Sequence, residues 1–321
     1  MKNQKSVFKA CVVAVMVFLG TVGVFAQQEE YNMRVGVMPL VEHIPLLLAQ
    51  QEIATTVAKE KVQLDVYNSW TALEAAFRTG AIDGAAITLP KALLMAYEGV
   101  PLKILLNVGR NGSTIVLNSD SVDELKGKIM GGSGNDTMDL LVFARFLKDK
   151  KLRMGRDVRY LLIPFSRTIS LMKEDRIFGF CLSEPYGALA EKEGVAKRVI
   201  LSKDVYPNLI NSVFIVSPKV LKEHPDVVKA FVKGLIKAGN FIEKDKNDSS
   251  GRQTAMSQVN IFKMNPELVS RSLTMPKDRI IFKNFTPQLQ EIEEIAKNLM
   301  SLNVLSGMVN LKEIIDTRYS E

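Results

Sequence analysis

WTALEAAFRTGAIDGAAITLP at residues 70–90 and FSRTISLMKEDRIFGFCLSEP at residues 165–185 run on one plan, 95 positions apart. In each stretch an aromatic residue opens a helix, a glycine-containing or charged turn follows, and a short apolar run reads as a buried strand. Each strand ends in a hydroxyl, Thr88 or Ser183, just ahead of a residue followed by proline. Two βαβ units can share such a plan by chance. A duplicated lobe accounts for the order of the pieces better, and predicts two α/β halves of like construction.

Working outward, short β-branched runs alternate with helical patterns from residue 33 onward, the signature of a largely parallel sheet. Strands are expected at 33–38, 63–68, 85–88, 103–108 and 114–118, then at 128–131, 158–162, 178–182, 198–201 and 213–216. From Pro218 the character changes. Helical spacing covers 225–244, 249–262, 266–274 and 287–302, three of these opened by a proline, whose missing N–H costs nothing in a first helical turn. The C-terminal third therefore reads as a helical wrap with one candidate strand at 279–282. Residues 50–62 lack a glycine to close the first helix, which is expected to run on.

The N-terminal segment bounds the setting. Lys2, Lys5 and Lys9 precede an apolar run at 12–19, and Val24-Phe25-Ala26 offers small residues for a signal peptidase. A signal peptide over 1–26 is expected, cleaved after Ala26. The rival reading is a retained anchor, but Gly20, Thr21 and Gly23 interrupt a run already short of the ~20 residues a bilayer span needs. Cys11 stands inside the apolar run rather than after the cleavage site, so no lipid attachment is expected, and Cys181 is left without an internal disulfide partner. The formal charge of +7 includes the three leader lysines; without them 39 basic residues face 35 acidic ones, a net +4. That charge is spread along the chain, with no dense basic run and interleaved aromatics to suggest nucleic acid.

Several residues are candidates for chemistry. Gly131, Gly132, Ser133, Gly134, Asn135, Asp136 and Thr137 follow a predicted strand and precede the amphipathic run 138–148. A glycine-rich turn at a helix N-terminus presents free N–H groups and the positive end of the helix dipole, an anion site. An ordinary capped helix, with Asn135 or Asp136 as N-cap, fits the same residues. The lysine of a nucleotide-binding phosphate loop is absent. Trp70, the only tryptophan, lies where a strand hands over to a helix, the end of an open sheet where ligands bind; a core role is the alternative. Glu184 emerges at the end of the strand containing Ser183, poised either to cap or pair with a base, or to accept from a ligand or hold a cation. Cys181 in the same strand reads as a small buried hydrophobe.

His43 sits in the loop after the first strand, where a pocket or a solvated position is open; His224 precedes Pro225 and reads as a surface turn. Neither has a second ligand at metal spacing, and no nucleophile–base or paired-carboxylate constellation can be assembled, so neither metal nor cofactor nor catalysis is expected.

Taken together, PLLLA at 45–49, SW at 69–70, GAIDG at 80–84, EGVPLK at 98–103, LKGK at 125–128, GFCLSEP at 179–185 and HPDVVKAF at 224–231 resemble the solute-binding proteins of nitrate/sulfonate/bicarbonate and taurine importers. That group also includes binders of thiamine pyrimidine precursors. The resemblance implies a two-lobed α/β fold of the periplasmic-binding type II, with mixed, mostly parallel sheets and the helical wrap. It implies one lobe from 27–110 and 213–321 and a second from 111–212, and a periplasmic protein. It further implies a monomer that captures a small, anionic solute by hinge closure and delivers it to an ABC permease and its ATPase subunit. The ligand is expected to meet Ser133, Gly134, Asn135, Asp136 and Thr137 on one side and His43, Trp70 and Thr88 on the other, with Asn111, Ser183 and Glu184 nearby. Tyr186 stands where the nitrate and bicarbonate branch tends to have tryptophan, and Arg271 is the candidate for that branch's pocket lysine. The alternatives are a pyrimidine-precursor synthase or chorismate-type dehydratase on the same fold, or an exported sensor module.

Overall fold

The computed structural model describes residues 31–56 and 61–320, with side chains of 55 and 56 left aside. The expected leader lies outside the described residues, as does any extension of the first helix over 57–60. No helix among the described residues is long and apolar enough to cross a membrane.

Among the described residues eleven strands form two sheets. They are β1 (Asn32–Val37), β2 (Lys61–Val66), β3 (Gly84–Thr88), β4 (Lys103–Asn111), β5 (Ser113–Leu117), β6 (Ile129–Gly132), β7 (Arg159–Leu162), β8 (Gly179–Ser183), β9 (Arg198–Leu201), β10 (Ile210–Val216) and β11 (Ile280–Ile281). The first sheet runs β11-β4-β10-β3-β1-β2 and the second β7-β6-β8-β5-β9. Five strands of the first sheet, β4-β10-β3-β1-β2, correspond in order to β9-β5-β8-β6-β7 of the second, and β11 is an addition to the first. β3 lies parallel to β1 and antiparallel to β10, and β8 lies parallel to β6 and antiparallel to β5. The strands of the two quoted stretches thus occupy equivalent places, the arrangement that a repeated lobe predicts.

Alternation builds the cores. In β10, Val213 and Ile215 join one cluster while Phe214 and Val216 join another on the opposite face. In β8, Cys181 faces the first cluster and Phe180 and Leu182 a third. Side chains of period two on a sheet covered on both faces give this pattern. The helix Pro225–Asp248 packs its apolar stripe against the helix Ile44–Thr56, and Phe231 meets Phe214 edge to face at 5.3 Å between ring centroids.

Two expectations change in detail. β10 starts at Ile210 rather than 213, because Asn211 and Ser212 satisfy their polar side chains on Glu42 and so can enter a buried strand. The helix expected over 249–262 is confined to Arg252–Ser257. There the Gln258 side chain binds the Ala255 and Met264 carbonyls and accepts from the Met264 N–H, closing the helix in place of further backbone turns.

The chain passes between sheets twice. Asn111, at φ 61°, and Gly112, at φ +85°, make the first crossover. The helix Ser202–Val205 and the turn into Ile210 make the second.

Candidate functional site

The segments that follow β2 and β6, together with β7, open onto one cleft of about 730 Å³ between the lobes. Trp70 enters it from the first lobe, at the head of the helix Trp70–Arg78, whose N-cap Ser69 accepts from the Ala72 N–H at 3.2 Å. Ser133, Gly134, Asn135 and Asp136 enter from the second lobe, after β6. Gly132 is required there by close approach: a Cβ would lie 1.6 Å from the Tyr160 hydroxyl.

Lys91 and Asp136 join across the cleft. The Lys91 ammonium, 5% exposed, binds Asp136 of the opposite lobe and Glu74 at 2.6 Å. Its charge is therefore already matched by two carboxylates.

Behind the cleft three hydroxyls converge on one buried carboxylate. Asp139, in the first turn of the helix Met138–Asp149, accepts from Ser113 at 2.7 Å, Ser133 at 2.8 Å and Ser183 at 3.3 Å. Burial pushes its carboxyl up to about 6 against the lowering effect of these three hydroxyls. A carboxylate of the chain itself thus occupies the N-terminal end of this helix. Thr137, its N-cap residue, is buried and donates to the Gly134 carbonyl at 3.3 Å.

His43 is fully buried and edge-on to Trp70, with 5.9 Å between ring centroids. Its Nδ1 accepts from the Met38 N–H at 3.0 Å, and burial pushes its pKa down to about 3. The ring is neutral and its proton must sit on Nε2, which has no partner. Trp70 Nε1 and Thr88 Oγ1 are likewise buried without partners. Thr88 pairs with Ser212 across the β3–β10 ladder; Ser212 donates to Glu42 Oε1 at 2.6 Å, and that oxygen is 3.9 Å from His43 Nε2. His43 and Trp70 are therefore in ring contact, and Thr88 is linked to them through Ser212 and Glu42; Trp70 lines the cleft, whereas His43 and Thr88, expected to meet the ligand, lie buried outside its lining.

Other expected residues are placed differently. Glu184 is absent from the cleft lining: Thr114 and Arg279 Nε donate to its Oε1 at 2.6 and 2.7 Å, and Ser272 and the Ala188 N–H to its Oε2 at 3.0 and 3.1 Å. The alternative of pairing with a base and capping the following helix describes it. Ser183 is one of the hydroxyls on Asp139, and the amide of Asn111 donates to the Asp278 carbonyl at 3.0 Å, so both stand behind the cleft. Arg271, the candidate pocket cation, pairs with Glu191 and borders a separate groove with Met256 and Met275. His224 stacks on Tyr31 with 3.4 Å between centroids.

Sequence reasoning passed over Glu42, Lys91, Asp139, Tyr160 and Asn303. Asp139 and Lys91 carried a local signal, an acid in a first helical turn and a lysine just past a strand end. Asn303 belongs to a C-terminal turn that only the tertiary fold brings to the cleft. No group of three or more His, Cys, Asp or Glu that could hold a metal is present among the described residues.

The fold matches a ligand-binding component of an ABC-type import system from Staphylococcus aureus with zinc bound, at TM-score 0.80 and 19% identity over 90% of this chain and 97% of that one. It also matches the periplasmic nitrate-binding protein NrtA from Synechocystis, at TM-score 0.79 and 14% identity over 90% and 86%. A third match is the alkanesulfonate-binding protein SsuA from Xanthomonas axonopodis bound to MOPS, at TM-score 0.72 and 16% identity over 89% and 98%. These likenesses establish the two-lobed periplasmic-binding fold. In sequence, the chain is 24% identical over 232 residues to the bicarbonate transport ATP-binding protein CmpC of Synechocystis, covering 65% of this chain and 35% of that protein. It is 21% identical over 250 residues to the nitrate/nitrite binding protein NrtA of Nostoc, covering 68% and 56%. The chain thus spans 35–40% of the length of the transport ATP-binding proteins it matches. The NMT1-like family profile matches residues 26–257, and the chain belongs to the NMT1-like family.

Proposed function

We propose that this chain is the solute-capturing component of an ABC importer, and that it holds a small solute bearing hydrogen-bond acceptors, such as an oxyanion group, between its lobes. The observation that carries this reading is the set of unpartnered groups at and behind the cleft wall. His43 Nε2–H and Trp70 Nε1–H can only donate, and the Thr88 hydroxyl can do so; buried donors without acceptors cost stability unless a ligand supplies the acceptors. The cleft of about 730 Å³ leaves room for a body beyond the acceptor group, in the range usual for small-molecule sites.

The lobes are taken as 27–110 with 213–321 and as 111–212, moving about the two crossovers. A solute that bridges both lobes interacts better with the closed form, and that difference drives closure. Export by a cleaved leader, a periplasmic location, a monomeric state and delivery to a permease with its ATPase subunit complete the reading; the named nitrate, sulfonate and bicarbonate relatives support it. A thermal-shift screen of the chain lacking 1–26 tests it, using nitrate, bicarbonate, alkanesulfonates, taurine and aminopyrimidines. One class is expected to raise the melting temperature and perturb Trp70 fluorescence. No shift with any of them, together with turnover of an added substrate, would overturn the proposal in favour of an enzyme.

A further inference from the structure

Glu42 lies where the two crossovers meet. Its Oε2 accepts from Asn211 and its Oε1 from Ser212, both in the first turns of β10 after the second crossover. The first crossover closes on it from the other side. A Cβ on Gly112 would stand 3.0 Å from Glu42 Oε2, and one on Gly109 would stand 3.1 Å from Glu42 Cβ. Glycine at both positions leaves space for this one side chain. Any rotation of one lobe against the other must shift the walls around it.

The groups packed against Glu42 offer no positive charge. His43 faces it from the same turn, neutral, with Nε2 3.9 Å away. Asn211 and Ser212 face it from β10, and the Gly109 and Gly112 backbone from the first crossover. Asp139, on the helix Met138–Asp149, acts on it as a like charge. Among the described residues no lysine or arginine is within ion-pair distance of Glu42. The buried arginines of this region are held elsewhere, Arg279 by Glu184 and Glu191, Arg110 by Glu291 and the Asn208 and Asn284 carbonyls. A carboxylate buried to 1% exposure with no cation is costly, and the neutral acid is the form that fits. Burial pushes the carboxyl up to about 8, in agreement.

We propose that Glu42 is a positioning residue of the ligand site that carries its proton in the closed molecule, so that closure of the two lobes is proton-linked. Loss of that proton places an unmatched charge between the crossovers, and only admission of water, by opening, relieves it. The proposal rests on the solute-capture reading for treating the crossovers as a hinge, but its test needs no solute.

Hydrogen–deuterium exchange of the solute-free protein from pH 6 to 9.5, corrected for intrinsic rates, reads peptides covering 109–114 and 208–213. Above about pH 8 the wild type should gain exchange approaching tenfold per pH unit, as expected of a one-proton opening, in addition to any change that Asp139 sets at lower pH. Glu42→Gln, neutral at that position at every pH, should lack the rise above pH 8. A wild type without that rise, or a Glu42→Gln protein that rises in parallel with it there, overturns the proposal. Should Glu42→Gln not fold, infrared spectroscopy of the wild type decides: a neutral carboxylic acid band present at pH 7 and gone by pH 9.5 is expected, and its absence at pH 7 overturns the proposal. A protein that shows this profile yet binds none of the probe solutes counts against solute capture alone. A protein that binds one and lacks the rise above pH 8 counts against the role of Glu42 alone.

Discussion

Replacing Arg279 with methionine removes the cation at the centre of a contact joining the helical wrap to the second lobe. The Arg279 Nη2 lies 2.5 Å from Glu184 Oε1, the two side chains are 2% and 1% exposed, and Nη1 reaches Glu191 at 3.0 Å. Removing one member of a buried pair leaves the other charged and unmatched, at a cost of about 3–5 kcal/mol. Thr114, Ser272 and the Ala188 N–H still donate to Glu184, which places the expected loss near the lower end, about 3 kcal/mol. Urea denaturation followed by circular dichroism measures it, with Glu184→Gln and the double variant completing a cycle. The double variant should be less destabilised than the sum of the two single changes, because the unmatched charge is gone. A loss below about 1 kcal/mol for Arg279→Met, or strict additivity, would refute the view that this pair is buried and coupled.

Three further outcomes follow from the geometry. Gly179→Ala would put a Cβ 2.0 Å from the Val116 carbonyl in the neighbouring strand; a loss of about 1–3 kcal/mol or more is expected, and a loss below about 0.5 kcal/mol would contradict the close β5–β8 approach. Glu42 and Asp139 have carboxyls raised above their unfolded values, so the native state holds extra protons; their contribution is complete below the unfolded values and is lost as pH rises through about 6 for Asp139 and about 8 for Glu42. Calorimetry should therefore show a melting temperature falling between pH 5 and 9, with the fall reduced in Glu42→Gln, and a rising or level curve would contradict it. Asp136→Asn weakens the Lys91 bridge across the cleft while leaving Glu74 in place, so small-angle scattering should show a larger radius of gyration without solute, and solute affinity should drop by roughly 2–10-fold. An unchanged radius and affinity would mean that the bridge does not favour the closed form.

The sheets were legible because their signals are local. β-branched runs closed by glycine or proline turns located the eleven strands of the described residues to within a few positions, and the likeness of 70–90 to 165–185 corresponds to β3 and β8 in equivalent sheet positions. Trp70 and the 133–136 turn were readable as cleft residues because strand C-terminal ends in a parallel sheet face the ligand side. Glu42 was not readable. Its partners Asn211 and Ser212 lie about 170 positions away, and nothing near residue 42 signals that two crossovers will close on it. Glu184 showed the same limit from the other side: a carboxylate at a strand end looks alike whether it meets a ligand or Arg279, and the arginine is 95 positions further on.

In the proposed complex His43 and Trp70 donate to acceptors of the bound solute. Trp70 is the only tryptophan, so a proton–nitrogen NMR spectrum of the chain shows a single indole N–H resonance. Titration with the solute that raises the melting temperature most should move that resonance downfield, as a hydrogen bond forms, and should bring a protected His43 Nε2–H into view. An indole resonance that stays in place while the solute binds would contradict the account.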